Sequence, residues 1–408
     1  MSSTLSPERT SSGAPLAAAL RFLMRTKLYW GLIALYAVGV FASPVSSRGV
    51  NIFLTEANQS DVLRQVSNNG IVAVGMTLVI LIGGIDLSVG SVMALGSVLC
   101  AMLLTQKGWS TASWFAIPLF VAFVLLAVAW LVQLAARGRR WAAPAGWALG
   151  VLAAAAAAAW TVGQLPGKFG VLGVLLVVPV AGLAVGALNG VIVARAKLQP
   201  FIVTLAMMVG MLGTARLVAG PDTTVYPVYT GTNATAAFEG LRMLIWHILP
   251  VPGLFFLAAV AIFAALLRRT TFGRYVYAIG GNEQATRFSG VAVERVKIAV
   301  YAISGALACL AGVLYVAQYR QGKPDAGVGI ELDAIAAVVI GGTNLMGGRG
   351  TVVGTLVGVL IFGFLGNILQ LRNIDSNTQL VLKGVIILVA VMLQEGHVRL
   401  RRRPAGGG

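Results

Sequence analysis

Asp86, Glu331 and Asp333 are carboxylates in or beside long apolar runs of this 408-residue chain. An ionised side chain in such a setting is costly and usually functional. Two kinds of chemistry suit these acids: relaying protons along a membrane path, or capping broken helices that face protein or water. Their neighbours favour capping. Asp86 is followed by Leu87-Ser88-Val89-Gly90, the place of an N-cap. Glu331 and Asp333 fall in the first turn of an apolar run, where the helix dipole favours anions. Metal chemistry has no support. His247 and His397 are far apart, and Cys100 and Cys309 lie singly inside apolar runs, so neither a metal site nor a structural disulfide is expected. No cofactor is expected in this chain.

The acids belong to a repeated pattern. Residues 82–90 read IGGIDLSVG and residues 340–348 read IGGTNLMGG. Gly83, Gly84 and Asp86, with Ser88 following, are answered by Gly341, Gly342 and Asn344, and Gly96 and Gly354 extend the match. Glycine permits the irregular backbone a broken helix needs. Duplicated halves with broken helices are typical of transporters; the alternative is chance similarity in glycine-rich membrane sequence. Each copy follows an apolar run entering from the same side, so the two hairpins are expected to point the same way. These residues, with Glu331 and Asp333, are candidates for a translocation path or for the broken helices themselves.

A third group lies in the polar segment 268–297. Asn282 suits an N-cap, Glu283 the first turn, Glu283 and Arg287 an i, i+4 pair, and Gly290 a helix stop. A helix of about two turns, so fully capped and placed between two apolar runs, is a natural docking point for a partner. The chain has no P-loop of its own: GQLPGK at 163–168 has the wrong spacing and no Ser or Thr after Lys168. ATP hydrolysis is therefore expected in a separate subunit, and the chain is not read as an enzyme.

The elements that position these groups are membrane spans. Hydrophobic residues make up 58% of the chain and charged residues 11%, with a mean hydropathy of +0.87. The net charge of +17 comes from short clusters between apolar runs, not from a basic face, which excludes a nucleic-acid binder. The runs predict an all-α polytopic fold of about twelve spans, near 28–42, 69–85, 87–105, 113–135, 145–162, 170–194, 200–218, 249–267, 296–318, 332–346, 351–371 and 377–394. Two of these are short or broken, at 82–90 and 340–348. Asn51 to Val66 reads as an amphipathic surface helix. Residues 1–27 read as a cytoplasmic tail, with a cleaved signal peptide as the rival, and 395–408 as a basic cytoplasmic tail. With both ends inside, 20 of the 30 Lys and Arg residues fall in inner segments. Gly182, Gly186 and Gly190 share one helix face and allow a close crossing.

The stretches GMTLVILIGGIDLSVGSVMALG, NGVIVARAKLQPFIVTLAMM, FGRYVYAIGGNEQATRFSGVAVERVK and ELDAIAAVVIGGTNLMGGRGTVVGT resemble the ribose/xylose-type monosaccharide permeases of bacterial ABC importers. The resemblance covers most of 51–105 and 170–394. It implies a permease domain over 28–394, two permease chains (homodimer or heterodimer), an ABC ATPase subunit, an extracytoplasmic sugar-binding protein and a place in the bacterial inner membrane. It also implies an ATPase-coupling motif at Glu283, Gln284, Ala285 and Gly290, Gln284 departing from the commoner Ala. Residues 108–168 exceed the family pattern and are expected to be a two-span insertion. A proton-coupled secondary transporter using Asp86, Glu331 or Asp333 is the alternative.

Overall fold

The computed structural model describes residues 29–136, 139–220 and 225–402, so the tail expected at 1–27 lies outside the described residues. Helix dominates. The first helix, α1, is Tyr29–Ala42. It is followed by α2 (Glu56–Leu81), α3 (Val89–Thr105), α4 (Thr111–Ala135), α5 (Ala142–Gln164), α6 (Val171–Arg195) and α7 (Pro200–Ala219). Then come α8 (Val251–Arg269), α9 (Thr271–Gly281), α10 (Glu283–Phe288), α11 (Val293–Tyr319), α12 (Ile330–Ile340), α13 (Val352–Leu371) and α14 (Ser376–Arg402). Described strand is limited to two-residue pairs: β1 (Tyr226–Pro227) with β4 (Gln321–Gly322), and β2 (Leu244–Ile245) with β3 (Leu249–Pro250). Among the described residues, α4, α5, α6, α7, α8, α11 and α13 are long and apolar enough to cross a membrane unaided by other features.

Three expectations change. The surface helix at 51–66 and the span at 69–85 are one helix, α2. Its polar first half is only partly exposed, because its buried amides are met by protein groups. Asn58 and Asn367 of α13 exchange two amide hydrogen bonds, of 3.1 and 2.7 Å. Asn68 donates to Gln318 of α11 at 2.8 Å. The run at 332–346 is the 11-residue α12, about 16 Å of helix at 1.5 Å per residue, which crosses only half of a ~30 Å hydrocarbon core. The basic tail expected from 395 begins as a continuation of α14, which runs to Arg402.

The core forms around α11. Its glycine and alanine face meets α6 at the positions the sequence marks. A β-carbon at Gly182 would collide with the Gly305 carbonyl, one at Gly186 with the Tyr301 carbonyl, and one at Gly190 would lie 2.6 Å from the Ile298 Cα. Further along, α11 also receives α3 beside α6: Gly312 abuts Met93 and Ser97, and Cys309 lies against both Gly96 and Gly182. Backbone-to-backbone approach of this kind maximises dispersion contact where no hydrophobic effect drives helices together. The α4–α5 pair packs mainly on itself and on α6, with Trp114, Trp130 and Leu152 more than 60% exposed, so this hairpin sits at the rim.

The crossing predicts a split in sign between glycines. Gly305→Ala should destabilise by about 1–3 kcal/mol through overpacking. Gly210→Ala, in the middle of α7 with open space around it, should stabilise by about 0.5–1 kcal/mol through helix propensity. Apparent melting temperatures in detergent report both; equal effects at the two positions would show that the crossing is not tight.

Candidate functional site

Two helix breaks meet at one end of the molecule. The helix α2 ends in a Schellman-type stop: Gly83, at φ 78°, donates to Ile80 O at 2.9 Å, and Gly84 donates to Val79 O at 2.9 Å. The end of α12 repeats it. Gly342, at φ 85°, donates to Val339 O at 2.9 Å, and Thr343 donates to Val338 O at 3.1 Å. The left-handed residue is thus the first glycine of one copy and the second glycine of the other, one position out of step with the sequence alignment. The acid and the amide return to step. Asp86 Oδ1 accepts from Ser88 N–H at 3.0 Å, and Asn344 Oδ1 accepts from Met346 N–H at 3.0 Å. Both form the same turn over two residues. The loops touch: Gly348 donates to Leu81 O at 2.9 Å, so the hairpins point the same way.

Asp86 is not the N-cap itself; by backbone position Ser88 precedes the first helical residue of α3. The carboxylate is instead the centre of a buried polar cluster. Its Oδ1 accepts the Ser88 hydroxyl at 2.6 Å, and its Oδ2 accepts the Ser304 hydroxyl of α11 at 3.2 Å. Asn189 of α6 donates to Ser88 Oγ at 2.9 Å. The phenol of Tyr301 lies against Gly84. Asp86 is 1% exposed. Three donors on one enclosed carboxylate tie the start of α3 to α11 and, through Ser88, to α6. Asn189, Tyr301 and Ser304 were missed by sequence reasoning, because a lone polar residue in an apolar helix does not announce its partner.

The other two acids part company. Glu331 Oε1 accepts from Gly329 N–H at 3.2 Å, and its carboxylate rests against Gly90, so the start of α12 meets the start of α3. Asp333 faces elsewhere and binds Lys383 of α14 at 2.8 Å.

The docking segment folds into two short helices. Asn282 Oδ1 accepts from Ala285 N–H at 2.9 Å and caps α10 as expected. Gly290, at φ 81°, closes it: Gly290 donates to Arg287 O at 3.0 Å and Val291 donates to Thr286 O at 3.4 Å. Glu283 pairs with Arg287 at 3.4 Å and also with Lys297 of α11 at 2.7 Å. Arg287 reaches on to Glu294. The backbone N–H groups at the start of α11 and then Arg287 hold the Glu294 carboxyl below its ordinary range. The contribution of the Glu294 carboxylate is complete above its ordinary titration range and is lost as pH falls through the lowered one. Gln284 is exposed beside it. Phe288, at the tip, is 90% exposed, a large apolar side chain on a charged segment; that incongruity was visible in the sequence and overlooked.

The helix α9, which sequence reasoning did not foresee, joins this segment to the breaks. Gly280 lies flat on both: a β-carbon there would collide with Leu81 O and Gly348 N. The Tyr277 hydroxyl donates to Gly350 O at 2.9 Å, and burial pushes its pKa up. The short helix α9, the α2–α3 break and the α12–α13 break are therefore one contiguous unit, and α10 follows α9 directly.

A family model described as "Branched-chain amino acid transport system / permease component" matches residues 58–391. The ribose import permease protein RbsC of Escherichia coli K12 is 38% identical over 374 residues, 91% of this chain and 94% of its own. RbsC of Bacillus subtilis is 37% identical over 341 residues, 84% of this chain and 85% of its own. The L-arabinose ABC transporter permease protein AraH of Azospirillum brasilense is 31% identical over 408 residues, 98% of this chain and 99% of its own. No solved structure matches.

The seat of Gly280 predicts a local effect. Gly280→Leu should lift α9 from the 341–350 loop and speed trypsin cleavage after the exposed Arg349 severalfold in membrane vesicles. Gly281→Leu, where nothing lies within 4 Å of the added carbon, should not. Equal cleavage in the two variants would refute the contact.

Proposed function

Since this chain belongs to the permease-component family of ABC importers, as the membrane-spanning subunit that works with a separate ATPase and an external binding protein, we propose that it carries a monosaccharide across the bacterial inner membrane. Relatives named for ribose and arabinose align over nearly the whole chain and support the sugar over the amino acids of the family description. The observation that carries the mechanism is the seat of α9, which leads directly into α10, on both helix breaks. Phe288 and the Glu283–Arg287–Glu294 network form the ATPase contact, an aromatic anchor within a charged rim. Closure of the ATPases pulls this unit. The breaks, held by backbone contacts, move with it, and α2 and the half-helix α12 that end there tilt between outward- and inward-facing arrangements. Two copies or close relatives of the chain assemble about the path, with the α4–α5 hairpin at the rim.

The alternative of proton coupling finds no support in the acids. Asp86 is enclosed and triply hydrogen-bonded, and Asp333 is paired with a lysine. Both termini and residues 268–297 are placed in the cytoplasm on the charge count.

Two measurements test this reading. A cysteine at Ser289 should react with an impermeant thiol reagent only from the cytoplasmic side, and one at Ser376 only from outside; the reverse pattern overturns the topology. Glu283→Arg with Gly290→Val should leave expression near normal while the ATPase co-purifies poorly and sugar uptake falls. Reversing Glu283 breaks two ion pairs and sets a cation at the helix start, each effect about 0.3–1 kcal/mol. A β-branched residue is strongly disfavoured at the φ of 81° found at Gly290. Parental ATPase binding and uptake in this double variant would remove α10 from the coupling role.

A further inference from the structure

In the half of the molecule away from the docking unit, α2, α12, α13 and α14 enclose a cavity of about 110 Å³. Its walls carry four carboxamides, Gln65 and Asn69 from α2, Gln370 from α13 and Gln379 from α14, together with the Asp333–Lys383 pair. Gln65 lies 16 residues before the end of α2, roughly 24 Å from the break at 1.5 Å per residue. The cavity therefore sits in the outer part of the helices. Among the described residues, the side chains of Gln65, Asn69 and Gln370 make no hydrogen bond; Gln65 and Gln370 are exposed and Asn69 is half-buried, so all three are open to whatever fills the cavity, whereas Asn68 and Asn367 on the same two helices are buried and bonded to protein.

Carboxamides without protein partners, set beside an ion pair on membrane-spanning helices, suit a water-filled or solute-filled space better than lipid. In the wall of the cavity, a β-carbon at Gly366 would meet nothing within 4 Å, so the space is open there. The chemistry of the lining narrows the class of solute. A carboxamide both donates and accepts, as does each hydroxyl of a polyol. The Asp333–Lys383 pair is neutral overall and offers further acceptors and donors.

We propose that this cavity is a stage of the translocation path, holding a neutral polyhydroxyl solute between its release by the binding protein and its passage inward. The assignment rests on the monosaccharide reading, deepens it, and gives the path its residues. Gln65, Asn69 and Gln370 bind hydroxyls directly. Lys383 holds Asp333 in place as an acceptor. Water fills the site when the solute has left.

The test uses the complete importer, with its ATPase and binding protein, in proteoliposomes supplied with D-ribose or L-arabinose. Gln65→Leu with Gln370→Leu keeps the volume but removes two amides, and Gly366→Leu fills the space without touching a polar group. Each should lower uptake about tenfold while ATP hydrolysis stimulated by the binding protein stays within twofold of the parent. A parent importer that carries neither sugar would defeat the monosaccharide reading itself. A parent that carries one, with both variants equal to it, would defeat the cavity alone.

Labelling keeps the proposal exposed even if those variants fold poorly. The native Cys100 and Cys309 are fully buried and leave a low background. Asn69→Cys in the otherwise parental chain should react with a hydrophilic, impermeant maleimide added outside, and saturating sugar should protect it in the transporting complex. Reaction only with a lipid-soluble maleimide would mean that this face meets lipid, and the inference would be wrong.

Discussion

The crossing of α6 over α11 is the contact on which the other parts rest. Gly182, Gly186 and Gly190 face the backbone of α11 from Ile298 to Gly305 with no side chain between them. That closeness brings Asn189 on one helix and Tyr301 and Ser304 on the other to the same level, around the start of α3. A single added methyl on this face would separate the helices and open the Asp86 cluster. An enclosed carboxylate that loses donors is costly in a low dielectric, so packing and polar satisfaction fail together. The glycine crossing and the buried acid are thus one device with two chemistries.

The same logic governs the docking end. A helix as short as α10 has no stability of its own, since nucleation of one or two turns is unfavourable in isolation. It persists because Asn282 caps its first turn, Gly290 closes its last, and Lys297 and Glu294 tie it to α11. Through Gly280 the neighbouring α9 rests on carbonyl and amide groups of both breaks, not on flexible side chains. Force applied to α9 is therefore delivered to the backbone at the ends of α2 and α12. The left-handed glycines there, Gly83 and Gly342, are the positions at which the chain changes direction.

Polar groups in this molecule sort by whether protein satisfies them. Asn58, Asn68 and Asn367 are paired, and they weld α2 to α13 and α11. Gln65, Asn69 and Gln370 occupy the same helices and are left open beside a void. The charged groups divide in the same manner, Asp86 sealed and Asp333 held at a cavity wall by Lys383. Composition alone treats these residues alike.

Local chemistry was legible in the amino-acid order. The apolar runs predicted an all-helical membrane protein, the triplet of glycines on α6 predicted a close crossing, and Asn282 with Gly290 predicted a short capped helix. Each rests on interactions within one turn or one face of a helix, which spacing encodes. The echo at 82–90 and 340–348 was legible as well, but its one-residue offset was not, because the left-handed position is chosen by where each helix must stop. The helix α2 was misread as two elements, since Asn58 and Asn68 of its polar half are met by amides more than 200 residues away. Partnership across that distance is decided by packing. Hence only the tertiary structure could assign Asp86 to a sealed cluster, join Gly280 to both breaks, and separate the paired amides from those left facing a cavity.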